Sequence, residues 1–321
     1  MFYRKEKKMI NKKQPGITVS IPLFFNKDES IDYETLTQYI KDLGKQKSIS
    51  AIYSMAYNTR YRMLSEGELL SLNIKIIELS KIYDIDCYVG HPYIFDRIRL
   101  ETYLKEIAKY EPAGISMLYP ERYFNIDEPI LEFLEMPNKF GMKVVLHEMK
   151  LISGLNGELI NWPKDLLRKS IQLESVIGIK EDSKDDGITN IVLDECKKAG
   201  DVTCILAGGG KMRALNFIDR GLKTWLNGTT MFYPNAIDII YPAVMNNNID
   251  TVEYYKENIE QPFFDTVVKK YGWHLAHKAA LEFFGYGKRY ERFPHAVLPA
   301  QDFNHLNTTF NDIKIAFEQL S

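Results

Sequence analysis

The feature that most constrains this chain is a repeated alternation of short β-branched or aliphatic runs with longer segments of helical apolar spacing. Each unit spans about 30 residues, the size of one strand–helix step. Eight such units favour an α/β fold of the (β/α)8 TIM barrel type, because closing a parallel sheet pairs every strand. An open doubly wound sheet is the alternative. The predicted strands are Ile17–Phe24, Ala51–Met55, Asp86–Gly90, Gly114–Leu118, Lys143–Glu148, Val176–Glu181, Thr203–Gly208 and Lys223–Gly228.

Helical segments lie between these strands, and several begin at a capping residue such as Ser65. They include Tyr33–Lys45, Glu66–Tyr83, Arg97–Lys109, Asp127–Phe140 and Thr189–Ala199. The alternation stops after the eighth strand, and the rest of the chain has the spacing of helices only. The sequence therefore predicts a flexible basic tail over residues 1–15, a barrel over 16–234 and a C-terminal helical region over 235–321.

Composition narrows the classes of partner. The chain has 41 Lys and Arg residues against 43 Asp and Glu, a net charge of −2, so no overall field draws it to nucleic acid or an anionic membrane. No apolar stretch approaches the ~20 residues that a membrane span needs. Three cysteines without a paired spacing indicate neither a disulfide framework nor a thiolate zinc site. We expect a cytoplasmic protein with a small-molecule partner.

Lys180 is predicted to lie at the C-terminal rim of the barrel, where catalytic groups are found. Functional groups stand at the C-terminal ends of barrel strands, and the opposite rim is structural. Lys180 closes the sixth strand, whereas Lys143 opens the fifth. Gly178 lies on the same strand face as Lys180 and leaves room for the long side chain inside the barrel mouth. Partial removal from water raises the fraction of free amine, which attack on a keto acid requires. An exposed, inert lysine paired with Glu181 or Asp182 is the alternative.

His147 and Glu148 close the neighbouring fifth strand. Adjacent parallel strands lie ~4.8 Å apart, so either side chain can reach Lys180 at the same rim. Histidine titrates near neutrality and can move the protons that imine formation and hydrolysis require. We predict His147 as a catalytic group and Glu148 as an acid–base or substrate-binding group. A hydrogen-bonding role for His147 at the strand end is the alternative.

Glycines 208–210 follow the seventh strand and form a candidate anion site. Backbone N–H groups in such a turn can hold a carboxylate or a phosphate, so Gly208 and Gly209 are predicted to bind substrate. The string is not a nucleotide-binding P-loop, because Met212 stands where Ser or Thr would bind Mg²⁺. A tight turn explains the glycines equally well.

No metal or organic cofactor is predicted. The pair His147 and Glu148 begins a zinc-protease-like string, but Leu151 occupies the position of its second histidine. His274 and His277 lie three residues apart on a predicted helix and lack an identifiable carboxylate partner.

Residues 176–183, Val-Ile-Gly-Ile-Lys-Glu-Asp-Ser, resemble the Schiff-base strand of the dihydrodipicolinate synthase and N-acetylneuraminate lyase family, the class I pyruvate-dependent lyases. Further landmarks agree in order and spacing, and the likeness extends over residues 16–320. It implies a (β/α)8 barrel with a C-terminal helical region, a homo-oligomer (tetramer or dimer), and an imine between Lys180 and a 2-keto acid. The further landmarks are residues 16–22 for the first strand, 31–32 and 64–68 for two helix starts, and 292–294 for a late Arg-x-Pro element.

The departures from the family pattern indicate a different substrate. The family's carboxylate-binding Gly-Thr-Thr-Gly-Glu is replaced by Ala-Tyr-Asn-Thr-Arg at residues 56–60, which makes Tyr57 and Asn58 the candidate substrate-binding residues. His147 aligns with the family's proton-relay tyrosine. Ile152 stands in place of an arginine that resembles the second-carboxylate anchor of the lysine-pathway enzyme. Arg122 similarly falls in a string, residues 120–122, that replaces the family's Pro-Tyr-Tyr.

Taken together, these residues predict a Schiff-base-forming lyase or aldolase that acts on a 2-keto acid or sugar acid through Lys180, and not by the standard dihydrodipicolinate synthase reaction. Two alternatives remain open. One is a catalytically altered barrel that binds a keto acid as a sensor or scaffold, since a fold does not fix a function. The other is a barrel that uses the turn at Gly208–Lys211 to act on a phosphorylated sugar.

Overall fold

The predicted barrel fold is confirmed. The computed structural model describes residues 15–54, 63–92, 96–118, 126–148, 154–155, 158–159, 161–208 and 210–320. Eight parallel strands form one sheet in the order β1-β2-β3-β4-β5-β8-β9-β10, and β6 and β7 form a separate antiparallel pair. The strands are β1 Ile17–Ser20, β2 Ile49–Tyr53, β3 Asp86–Gly90, β4 Gly114–Leu118, β5 Val144–Glu148, β6 Gly154–Leu155, β7 Glu158–Leu159, β8 Val176–Glu181, β9 Thr203–Leu206 and β10 Thr224–Trp225.

The first and last strands of the sheet meet and bring it close to full closure. Thr18 of β1 forms a parallel bridge with Leu226, which directly follows β10. The hydroxyl groups of Thr18 and Thr224 lie 2.9 Å apart, and Asn227 Oδ1 accepts a hydrogen bond of 3.1 Å from the backbone N–H of Ser20. In the order of the sheet, β8 is the sixth strand of the barrel, and its C-terminal end lies beside those of β5 and β9.

Helices cover the outside of the barrel and continue beyond it. Those between strands are α1 Tyr33–Leu43, α2 Glu66–Ile82, α3 Arg97–Ala108, α4 Glu128–Glu135, α5 Lys164–Ile171 and α6 Asp186–Ala199. A 3₁₀ helix, Arg213–Arg220, connects β9 to β10. The C-terminal helices are α7 Ile237–Met245, α8 Ile249–Tyr255, α9 Lys269–Tyr271, α10 Trp273–Phe283, α11 Ala300–His305 and α12 Asn307–Gln319. Across the described part of the chain, no helix is long and apolar enough to cross a membrane.

Proline accounts for two differences between the predicted and observed element ends. β1 stops at Ser20 although its apolar run continues to Phe24, because Pro22 has no N–H to donate to the neighbouring strand. The single helix predicted over Asp127–Phe140 is divided: α4 ends at Glu135 and a 3₁₀ segment covers Met136–Phe140. Pro137 cannot make the backbone hydrogen bond that would extend the α-helix through this point.

Local capping explains where helices α2 and α6 begin. Ser65 and Glu68 form a reciprocal capping box at the start of α2. Asp185 caps α6 by accepting hydrogen bonds from the backbone N–H groups of Gly187 and Ile188, at 2.8 and 3.1 Å. Each cap satisfies backbone donors that have no partner inside the helix. The start of α6 is thereby fixed only a few residues after the end of β8.

Arg292 ties the C-terminal region to the start of α2. Its guanidinium donates to both carboxylate oxygens of Glu68, at 3.0 and 2.6 Å, and to the carbonyl oxygens of Met63 and Glu29, at 3.0 and 2.7 Å. The hydrogen bond from Arg292 outweighs burial and lowers the pKa of Glu68 to about 2. The arginine of the Arg-x-Pro element noted in the sequence therefore joins the C-terminal region to the barrel by hydrogen bonds.

We expect Glu68→Gln to lower the free energy of unfolding by about 1–2 kcal/mol at pH 7, a value reduced for solvent screening because 35% of the Glu68 side chain is exposed. The wild-type contribution is present above the ordinary pKa of 4.5 and is lost as the pH falls through about 2. Urea unfolding at several pH values measures both effects. Glu78→Gln, at an exposed position of the same helix, is the control. Equal pH dependence in the two variants would contradict the assignment.

Candidate active site

Lys180 lies inside the barrel at the C-terminal end of β8. Tyr53, Val145 and Ile205 come from three strands that are not neighbours, so their mutual contact marks the barrel interior. A Cβ atom added at Gly178 would lie 3.7 Å from a methyl group of Val145, which places Gly178 on this interior face. Lys180, two residues further on, is 2% exposed, and its Nζ lies 5.8 Å from the centre of the Tyr53 ring.

The Lys180 amine has two hydrogen-bond acceptors. His147 is its direct partner in the register between β5 and β8, and the distance from Nζ to His147 Nε2 is 2.6 Å. The second acceptor is Asp182 Oδ2, at 2.9 Å. His147 Nε2 and Asp182 Oδ2 are 3.8 Å apart, so the three groups form a compact triangle. The structure thus brings together the two residues predicted as catalytic and adds a carboxylate.

His147 is an uncharged base in this arrangement. Burial, and then the neighbouring charge of Lys180, lower the pKa of His147 to about 4. A neutral imidazole that accepts at Nε2 carries its proton on Nδ1. Nδ1 is buried and has no hydrogen-bond partner in the described part of the chain. The Tyr53 ring packs edge-on against the imidazole, with the two ring centres 6.0 Å apart, and its hydroxyl is hydrogen-bonded to that of Ser116.

Asp182 is the member of the triangle that the sequence analysis did not assign to the site. Burial alone would raise the pKa of Asp182. The charge of Lys180 and the contact with His147 outweigh burial and hold this pKa well below its usual range. Gly208 makes room for the carboxylate: a Cβ atom there would lie 2.6 Å from Asp182 Oδ1, and Gly208 has a φ of +72°. The glycine predicted to bind substrate thus contacts the carboxylate beside the reactive amine.

Glu148 lies on the other face of β5 and not beside the amine. Its Oε1 accepts a hydrogen bond of 3.2 Å from the backbone N–H of Trp162. Burial, opposed in part by that hydrogen bond and reinforced by the charges of Glu181 and Asp182, raises the pKa of Glu148 to about 8. Glu181, its register partner, is held by Ser183 and by Thr189 at 2.6 Å. These carboxyl groups anchor the strand ends to the surrounding helices.

The remaining candidates divide into those outside the described residues and those engaged elsewhere. Tyr57, Asn58 and Gly209 lie outside them, together with Arg122 and Ile152.

Two other residues named above have partners away from the triangle. The Lys211 amine is paired with the carboxylate of Asp265 in the C-terminal region, with a closest distance of 2.7 Å. His277 is buried and stacks on Trp273 with ring centres 4.9 Å apart. Within the described ranges, no group of three or more His, Cys, Asp or Glu side chains could hold a metal ion.

The fold and the site together define the molecule as a (β/α)8 barrel with a C-terminal helical region and a buried lysine at the end of its sixth strand. No protein-family model matches the chain, and no curated protein matches it in sequence. Solved structures share its fold.

A 4-hydroxy-tetrahydrodipicolinate synthase from Methylacidiphilum fumariolicum SolV is 16% identical with a TM-score of 0.78, over 96% of this chain and 98% of that one. A dihydrodipicolinate synthase from Bacteroides thetaiotaomicron is 16% identical with a TM-score of 0.78, over 97% of this chain and 100% of that one. The N-acetylneuraminate lyase of Aliivibrio salmonicida is 15% identical with a TM-score of 0.76, over 95% and 97%. The resemblance identified in the sequence is confirmed for the fold.

Proposed function

We propose that this protein is a Schiff-base-forming lyase or aldolase that acts on a 2-keto acid or a sugar acid through an imine on Lys180. The observation that carries the proposal is the buried Lys180 amine with a neutral imidazole nitrogen 2.6 Å away. A lysine is seldom buried without a reason, and here a proton acceptor stands beside it. The lyases and synthases with the same fold support the general kind of reaction.

The proposed chemistry begins with proton loss from the Lys180 ammonium. His147 Nε2 accepts that proton and passes it to solvent. The free amine then bonds to the ketone carbon as the C=O π pair moves to the oxygen; the oxygen takes up a proton from solvent, and the nitrogen gives one proton to His147 Nε2. The hydroxyl group leaves as water with that proton, and the nitrogen lone pair forms the C=N bond of the protonated imine. The imine withdraws electrons from the adjacent carbon, so a carbon–carbon bond there can break or form through the enamine. The imidazolium of His147 is the nearest described proton donor for the loss of water.

The substrate is proposed to differ from that of dihydrodipicolinate synthase. The altered residues 56–60 and the apolar Ile152 replace groups that the family resemblance assigns to carboxylate binding. Tyr57 and Asn58 are proposed to contact the substrate. We further propose that the protein works in the cytoplasm as a homo-oligomer.

Trapping with cyanoborohydride tests this function. The reagent reduces a protonated imine to a stable secondary amine, so incubation with pyruvate, 2-oxobutanoate and a sugar-derived 2-keto acid should add the ketone to Lys180, as located by peptide mass spectrometry. Lys143→Ala is the control, because Lys143 precedes β5 at the opposite end of the barrel and should leave trapping unchanged. The absence of a Lys180 adduct with every ketone would overturn the proposal. An adduct without turnover of any aldehyde pair would instead indicate a keto-acid binder.

A further inference from the structure

The Asp182 carboxylate lies where its charge acts directly on the Lys180 amine. Its Oδ2 is 2.9 Å from Lys180 Nζ, and the carboxylate occupies space that exists because residue 208 is glycine. A salt bridge that served only to bury a lysine would not need the imidazole of His147 at 2.6 Å on the same nitrogen. The feature that requires explanation is the pair of acceptors, one neutral and one anionic, on one amine.

The two acceptors fix the direction of the lone pair. A neutral amine has two N–H bonds and one lone pair in a tetrahedral arrangement. When His147 is neutral and the N–H bonds point to His147 Nε2 and Asp182 Oδ2, the lone pair takes the third direction, away from both groups. A ketone that approaches from this side meets an oriented nucleophile, which removes a rotational cost from the first bond-forming step.

The charge of Asp182 also acts on two protonation equilibria. The same nitrogen is a cation as the Lys180 ammonium and again as the protonated imine of the covalent intermediate. A carboxylate at hydrogen-bond distance stabilises each cation relative to its neutral form. Removal of that charge should therefore act on both equilibria in the same direction.

Resting on the function proposed above, we infer that Asp182 is the counter-ion of the protonated imine and orients the Lys180 lone pair. It is a catalytic residue in the sense that it touches the reacting nitrogen. The inference goes beyond the resemblance described above, which assigns roles in this chemistry to Lys180 and His147 and none to Asp182.

Several charged or titratable groups surround Asp182 and its amine partner Lys180. They are Glu181 on β8, His147 and Glu148 on β5, His91 after β3, and Lys184 in the loop after β8. Asp182→Asn retains an oxygen acceptor for the amine and removes only the charge. Asp182→Glu retains the charge and is its matched control.

The test is the pH profile of cyanoborohydride trapping with pyruvate. The profile is bell-shaped, because its acid limb requires free amine and its alkaline limb requires the protonated imine. Loss of the Asp182 charge should move both limbs of the Asp182→Asn profile to lower pH by about one unit or more, so trapping on the acid limb becomes about tenfold faster than in the wild type. The Asp182→Glu profile should stay near that of the wild type. Side-by-side measurement cancels the pH dependence of the reagent.

The outcomes separate this inference from the function on which it rests. An unmoved Asp182→Asn profile, with a wild-type adduct on Lys180, overturns the role of Asp182 and leaves the proposed function standing. A wild type that forms no adduct overturns the proposed function first. If Asp182→Asn fails to fold, Gly208→Ala provides a second test, because the added Cβ atom would lie 2.6 Å from Asp182 Oδ1 and 2.7 Å from Lys184 Cε, so both side chains must shift without any change in charge. Its profile should also move to lower pH, and an unmoved profile would overturn the inference.

Discussion

Replacement of Lys180 by methionine is expected to abolish adduct formation and to reduce any turnover by about 10³-fold or more, to the uncatalysed background. Methionine has a similar length and no nucleophile, so it removes the attacking atom while preserving most of the packing against Tyr53. The measurement is peptide mass spectrometry after trapping, followed by an assay of each aldehyde and keto-acid pair that the wild type converts. An adduct that persists in the Lys180→Met variant, on a peptide with another lysine, would place the nucleophile elsewhere.

The same substitution should destabilise the fold, and a double variant separates this effect from the chemistry. Lys180→Met leaves the Asp182 carboxylate largely buried without its cation, at a cost of about 3 kcal/mol. Adding Asp182→Asn removes the uncompensated charge and should restore most of the lost stability in urea unfolding. Activity should stay absent in the restored protein. Recovery of turnover together with stability would show that Lys180 has a structural role only.

Replacement of His147 by phenylalanine is expected to slow trapping by about 10²–10⁴-fold, the usual contribution of a general acid–base group. Phenylalanine fills much of the imidazole volume beside Tyr53 but cannot accept the proton of Lys180 or return one to the leaving hydroxyl. The measurement is the rate of adduct formation at a fixed ketone concentration near pH 7.

His147→Tyr is the matched variant for this prediction. It adds one hydroxyl group to the phenylalanine ring, the group that the family resemblance assigns to the proton relay. We expect the tyrosine variant to recover part of the lost rate. Equal rates in the wild type and the phenylalanine variant would contradict a proton-transfer role for His147 and would favour hydrogen bonding at the strand end.

The sequence predicted the barrel because its strands and helices differ in apolar period over eight successive units. The same period-two rule placed Gly178 and Lys180 on the interior face, where the structure has them. Helix α5 was harder to identify, because eight residues supply only two turns of pattern. The 3₁₀ connection between β9 and β10 likewise has too few residues with α-helical spacing to be recognised.

The site was predicted in part from strand order and from the alternation of side chains along each strand. His147 and Lys180 are register partners on adjacent strands, a contact that strand order alone indicates. Strict alternation along β5 also separates Glu148 from His147, so their difference in facing could have been read from the sequence. Asp182 follows the last residue of β8, and its backbone N–H still donates to the carbonyl oxygen of Glu148, so alternation extended by one step places it on the face of Lys180. The space for its carboxylate comes from Gly208, a long-range contact that no local pattern contains.

A protonated amine and the carboxylate of the triangle cancel in charge, and the imidazole beside the amine is uncharged. A keto acid that enters the barrel mouth thus obtains no net attraction for its own negative group from these three side chains. A neutral ketone of equal size competes for the same nitrogen on even terms. Discrimination between acid and neutral substrates therefore falls to other residues of the rim, and the chemistry of bond formation can persist in evolution while the preferred substrate changes.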